Sequence, residues 1–273
     1  MDRRNSGLEK PPGAATPHHP GADAVHAPTT RASRPRDIEF VINPRRVLRV
    51  LLTVTAILVV LSTAGQAMFY YLPDFPLRDP LANVFYVDRE QSLPTLYSSL
   101  MLLVGAVLSG VIAYTLSRTE RAYVRHWAVL SLLFALGAVD EFVSVHENGI
   151  ALLRKLLDIQ GGPLWNAWVL PGAAAVAVFA VAYLRFLRHL PRSTRRRMWT
   201  GGLLFVGGAL GVELVGGSYS AVHGQLNMGF VLIATVEETL EMLGAAVILY
   251  GLLAYIPVIL LDAGWRLRVA PAD

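Results

Sequence analysis

Six stretches of the chain stay apolar for about the 20 residues that a helix needs to cross a bilayer. They run over Val47–Tyr71, Leu96–Thr115, Trp127–Leu152, Leu164–Leu187, Trp199–Tyr219 and Met228–Pro257. The third is the weakest, because its second half reads Asp140-Glu141-Phe142-Val143-Ser144-Val145-His146-Glu147. Alternation of the connecting loops still requires it to cross. The pattern predicts an all-α polytopic membrane protein with six transmembrane helices in one bundle. Residues 1–40 are Pro-, Gly-, Ala- and Arg-rich without apolar periodicity, and are expected to be a disordered cytoplasmic tail. Residues 41–265 form the membrane domain and 266–273 a short cytoplasmic tail.

Charge sets the expected orientation. Arg45, Arg46 and Arg49 precede the first span, Arg118, Arg121 and Arg125 separate the second from the third, and Arg188 to Arg197 separate the fourth from the fifth. Asp74, Asp79, Asp88 and Glu90 populate the loop after the first span. The positive-inside rule then places both termini in the cytoplasm of a cell inner membrane. Arg154 and Lys155 break the rule and are expected to pair with Asp158 or with nearby carboxylates. Trp165, Trp168, Trp199 and Tyr70-Tyr71 fall at span ends, as an aromatic belt does. Pro171 lies inside the fourth span and is a candidate kink.

Composition agrees with this class: 54% of the 273 residues are hydrophobic and only 16% are charged. The partner is the lipid bilayer. The basic residues flank apolar runs, so the net charge of +4 reports topology and not nucleic-acid binding. Six spans also suit a homo-oligomer such as a dimer. There is no cysteine, which excludes disulfides, thiolate metal sites and cysteine nucleophiles.

The chemistry lies in acids inside the apolar runs: Asp140, Glu141, Glu147, Glu213, Glu237, Glu238 and Glu241. A carboxylate at mid-bilayer costs on the order of 2.5–3.5 kcal/mol even on the lenient insertion scale. Such groups must be protonated, wetted by a cavity or neutralised by a cation. At a rise of 1.5 Å per residue, Asp140 and Glu213 lie about 20 Å from the cytoplasmic starts of their spans. Glu237 and Glu241 lie about 14–20 Å from the outer start of the sixth span. Three helices thus bring carboxylates to the middle or outer half of the membrane.

Facing agrees with depth. Asp140, Ser144 and Glu147 share a stripe, with Glu141 on its flank; Glu237, Glu241, Gly244 and Gly251 share another, with Glu238 beside it. His146 points away from its stripe in an ideal helix and joins only if the helix loosens. Gly207 and Gly211 are expected to make a close helix–helix seam below Glu213.

These residues predict a divalent metal cation site between the third, fifth and sixth spans, used for transport or metal-dependent chemistry. Asp140, Glu147, Glu213, Glu237 and Glu241 are the expected core ligands; Glu141, Glu238 and His146 are the second tier. Oxygen-rich ligands suit Ca²⁺, Mg²⁺ or Mn²⁺, and an added His tilts toward Zn²⁺ or iron. Two other accounts compete: a proton-coupled small transporter, and a scaffold whose protonated acids hydrogen-bond helices together.

Familiar catalytic patterns are absent. There is no H-E-x-x-H, Walker A or G-x-S-x-G. Val143 stands where a Glu-x-x-His di-iron motif would need an acid before His146. The several intramembrane His residues of a ceramidase-type hydrolase are missing. Tyr219, His223 and Gln225, with Tyr97, Ser98 and Ser99, are secondary candidates to reach the site.

Overall fold

A computed structural model describes residues 42–119 and 122–263. The first tail and the last eight residues, for which a disordered and a short cytoplasmic segment were expected, lie outside the described residues. Helices account for nearly all of the rest, and the described residues contain no strand.

The six spans begin and end for local reasons. Helix α1 (Pro44–Tyr71) starts where Asn43 accepts from the backbone N–H of Arg45 and Arg46, with Pro44 at its first position. A short helix α2 (Arg78–Phe85) lies after it, and α3 (Leu93–Ser117) starts at Ser92, whose hydroxyl accepts from the N–H of Thr95. Helix α4 (Val124–Val143) is followed by two short pieces, α5 (Val145–Asn148) and α6 (Ile150–Leu156). Helix α7 is Val169–His189. Helix α8 (Arg192–Val206) continues through a π-helical segment, Gly207–Val212, into α9 (Glu213–His223). Helix α10 is Met228–Ala263. Six of these units are long and apolar enough to cross a membrane, with α8, the π segment and α9 forming one 32-residue span.

The third span is shorter than the sequence implies. It ends at Val143 and not near Leu152, because Ser144 takes up a left-handed conformation (φ 52°, ψ 48°) that breaks the helix. Such a conformation costs a non-glycine residue about 1–2 kcal/mol. Pro171 does not kink its helix. Helix α7 starts at Val169, so Pro171 sits in the first turn, where a missing N–H has no helical partner to lose.

Helix α10 is the centre of the bundle and packs against α8, α1 and α3, while α3 pairs along its length with α4. Its buried Met242, Ala246, Leu249 and Leu252 reach two apolar cores. One core gathers Trp127, Phe186, Met198, Leu252 and Tyr255 at the Arg-rich end of the bundle. Apolar side chains such as Val178, Val181 and Leu203 face outward and are exposed, as a lipid-facing surface requires.

The α8–α10 contact depends on glycine, but not on the expected pair. A Cβ on Gly244 would stand 2.6 Å from the backbone N of Phe205 and 2.7 Å from the carbonyl O of Gly201. A Cβ on Gly208 would stand 2.7 Å from the carbonyl O of Glu237. Gly207 and Gly211 face open space. The seam follows Gly201, Phe205 and Gly208, one face at i, i+4 and i+7. We predict that Gly244→Leu destabilises the protein by about 1–3 kcal/mol, the usual cost of overpacking. Gly211→Ala should leave stability unchanged. Thermal unfolding in detergent distinguishes the two; equal melting temperatures would refute the assigned seam.

Candidate functional site

Above the Gly201–Gly244 contact the helices part around a cavity of about 250 Å³. Helix α10 supplies Glu237, Glu238 and Glu241 to its wall, and α9 supplies Glu213. Asp140 and Glu141 come from the last turn of α4, and His146 and Glu147 from α5. All eight candidate residues therefore line one space. The carboxylates from the spans are half-buried: deep within the bundle, yet facing the void. Glu147 is exposed at the mouth.

The break at Ser144 is what brings His146 in. The helix breaks after Val143, and His146 packs against the end of α4. Its Nδ1 lies 2.7 Å from Asp140 Oδ2, and its backbone N–H donates to Asp140 Oδ1 at 3.1 Å. The Ser144 N–H donates to the Asp140 carbonyl at 2.6 Å. Asp140 thus holds the turn closed, offsetting the left-handed residue.

Across the cavity, Trp168 Nε1 donates to Glu213 Oε1 at 2.7 Å, and the Trp168 ring packs on His146 with centroids 4.6 Å apart. Trp168 is thus part of the wall of the site. The wider winding of the π segment immediately precedes Glu213 and redirects it; such segments recur at functional positions. Glu237 faces both Glu213 and Glu241, and Glu238 faces Glu141.

Two acids beyond the candidate set line the same cavity: Asp88 and Glu90, from the loop between α2 and α3. Sequence position alone makes them loop charges that mark topology. The loop folds inward because the Val87 N–H donates to the Ser62 hydroxyl at 3.1 Å and the Thr95 hydroxyl donates to the Arg89 carbonyl at 2.7 Å. Glu90 then meets Glu147 at the mouth. Arg89 is the one Lys or Arg lining the cavity among the described residues.

Other candidates lie elsewhere. Tyr97 donates to the Leu51 carbonyl at 2.8 Å and Ser99 to the Ala138 carbonyl at 2.7 Å; both hold helices together. Ser98 is buried on α3 without a hydrogen-bond partner at bonding distance, and Glu141 is the carboxylate it faces. Tyr219 bonds Asn227, which caps α10 through the Phe230 N–H, and His223 stacks on Tyr219. Arg154 pairs with neither Asp158 nor the cavity acids. Its guanidinium donates to the Trp165 carbonyl and stacks over the Trp165 ring, while Asp158 accepts from Gln160.

Metal ligation as such is not preformed. Among the described residues, no three His, Asp or Glu side chains lie close enough together to hold an ion. Donor contacts to the acids are also few: Tyr86 to Asp88, His146 to Asp140 and Trp168 to Glu213.

Fold and cavity together define a six-helix membrane protein with an acidic chamber inside the bundle. The chain belongs to the family described as a domain of unknown function, DUF8692, whose model matches residues 51–256. No curated protein matches the chain. No solved structure matches it either.

Asp88, outside the spans, titrates unusually. Burial pushes its carboxyl up to about 7 from an ordinary 3.8; the charges of Glu147 and Glu213 push the same way, and the Tyr86 hydroxyl opposes them. The fold therefore favours protonated Asp88. That contribution to stability is complete below 3.8 and is lost as pH rises through about 7. Asp88→Asn should track wild type in acid and melt at a higher temperature above neutrality. Melting curves across this range decide it; a constant offset at every pH would rule the coupling out.

Proposed function

We propose that this protein is a cation-binding integral membrane protein of the cell inner membrane, with the acidic cavity as its site. In this reading the Arg-rich end of the bundle is cytoplasmic and the cavity mouth faces outward. One observation carries the proposal: nine carboxyl groups and one imidazole, drawn from four parts of the chain, surround a single void that one guanidinium alone shares among the described residues. Like charges at this spacing need protons or a cation between them.

A packing role fits less well. Acids acting as glue donate to or accept from neighbouring helices. Here Glu237 and Glu241 point at other acids and at the void, and no donor other than another carboxyl reaches either of them among the described residues.

The oxygen-rich lining of the chamber favours a particular class of ion. Mg²⁺ and similar hard cations dehydrate reluctantly and are held by few carboxylates, with water filling the remaining positions. An acidic chamber of this volume suits such a hydrated divalent ion better than Zn²⁺, which is held by three or four direct protein ligands. Asp140 holds His146 Nδ1, so the chamber offers Nε2 as a single nitrogen donor, fewer than Zn²⁺ sites ordinarily take. Binding of this kind is the first step of either transport or metal-dependent chemistry. Proton coupling is the second reading, supported by carboxyl pairs such as Glu213 with Glu237 that face each other closely enough to share a proton.

The test is equilibrium dialysis of detergent-purified protein against Mn²⁺, followed by elemental analysis. Wild type should retain about one Mn²⁺ per chain at saturation. Glu237→Gln combined with Glu241→Gln should weaken binding by roughly tenfold or more while still inserting and purifying as a folded protein. Equal retention in both, or none in wild type, overturns the metal reading and leaves protons as the counter-charge.

A further inference from the structure

A cation held by the buried acids needs a route to them. A second cavity, of about 570 Å³, opens at the same end of the bundle as the acidic one. Its walls come from the C-terminal turns of α1, the end of α2, the loop 224–227 and the start of α10. Gln225 and Leu226 on its rim are exposed. Asp88, Arg89 and Glu90 line both cavities, so this short loop is the partition between them.

Resting on the cation-binding reading, we propose that the ion reaches the acids through this second cavity, and that Arg89 guards the passage as a tethered counter-charge. The loop backbone is fixed at Val87, bonded to Ser62, and at Arg89, bonded to Thr95. The side chains between and beside these anchors are the movable parts. Arg89 is exposed and has no ion pair with a carboxylate among the described residues, although two acids flank it in sequence. A guanidinium on a long flexible stem at this position places a positive charge beside the passage that an incoming cation must overcome.

An alternative entrance from the opposite end is closed. Below Glu241 the backbones of α8 and α10 meet at Gly201 and Gly244, with no room for a single added carbon. Apolar packing of Trp127, Phe186 and Tyr255 fills the bundle beyond that point. Asp88 and Glu90 are the acids common to both cavities, and Glu90 meets Glu147 of the acidic one, while Glu241 lies about 20 Å along α10 from its first residue.

Because the chain has no cysteine, one introduced thiol is a clean probe. Gln225→Cys places it on the rim of the second cavity, and Lys155→Cys places a control outside both cavities. Each full-length variant, in detergent, is modified with a bulky neutral thiosulfonate, and Mn²⁺ loading is followed by electron paramagnetic resonance. Modification of the Gln225→Cys protein should slow loading by roughly fivefold or more without changing final occupancy; modification of the Lys155→Cys protein should do neither. Arg89→Gln should tighten Mn²⁺ binding by about fivefold, the order expected from removing one nearby charge in a watery setting, and Arg89→Lys should not. Unchanged loading in fully modified Gln225→Cys protein overturns the entrance, and unchanged affinity in Arg89→Gln overturns the guard, while cation binding stands in both cases. Failure of unmodified wild type to bind Mn²⁺ removes the cation reading itself and this proposal with it.

Discussion

The contact between α8 and α10 at Gly201, Gly208 and Gly244 sets the geometry of everything above it. Glycine lets the two backbones touch, which fixes the axial register of one helix against the other. That register puts Glu237 and Glu241 at the level where the π segment begins, because Gly208 lies against the Glu237 carbonyl. In a regular α-helix, Glu213, five residues after Gly208, would point about 140° away from the face that meets α10. The wider π winding turns it back, so that it faces Glu237 across the cavity. Close packing below and an altered helical pitch above are thus two halves of one arrangement. The first seals the chamber and the second brings its walls into register.

The break at Ser144 performs the same service on the opposite wall. A continuous helix through 143–152 would send His146 away from Asp140 and carry Glu147 past the mouth. The left-handed residue breaks the helix, and the Asp140 carboxylate receives both the backbone and the ring of His146. An anionic side chain that accepts the N–H groups freed at a helix break is acting as a cap, and the interaction is of the stronger, charge-assisted kind. Asp140 is consequently a positioning group for the turn, and less available to an ion than its depth implies. Glu141, next to it and facing Glu238, keeps its carboxyl free for the chamber.

Hydropathy and charge alone made the six spans legible, as well as the convergence of the acids. Long apolar runs have one stable form in lipid, and helical spacing then fixes which residues share a face. What hydropathy does not carry is a local conformation that violates a periodicity. The left-handed Ser144 and the π segment have no composition signature, so the end of the third span and the true glycine seam were misplaced. Asp88 and Glu90 were hidden for a different reason. They lie in a loop, and only tertiary bonds to Ser62 and Thr95 fold that loop into the bundle. Trp168 was hidden by a generally sound rule, since a tryptophan at a span end reads first as an interfacial anchor. Its ring instead joins the two walls, touching His146 and bonding Glu213.

The charge balance of the chamber limits what it can contain. With Arg89 as its single guanidinium among the described residues and His146 tied to Asp140, full ionisation of the acids would leave a large uncompensated negative charge inside an apolar bundle. At low effective dielectric such charges repel by several kcal/mol per pair, far more than packing at the glycine seam can offset. Protons relieve part of this, and carboxyl pairs such as Glu213 and Glu237 are placed to share them. Protons alone, however, turn the acids into ordinary hydrogen-bond donors, which would be satisfied best by closing the void around them. The void remains open. The proposed divalent ion, carrying its own water, would neutralise the acids from the middle of the chamber and occupy the space that direct carboxyl pairing would eliminate.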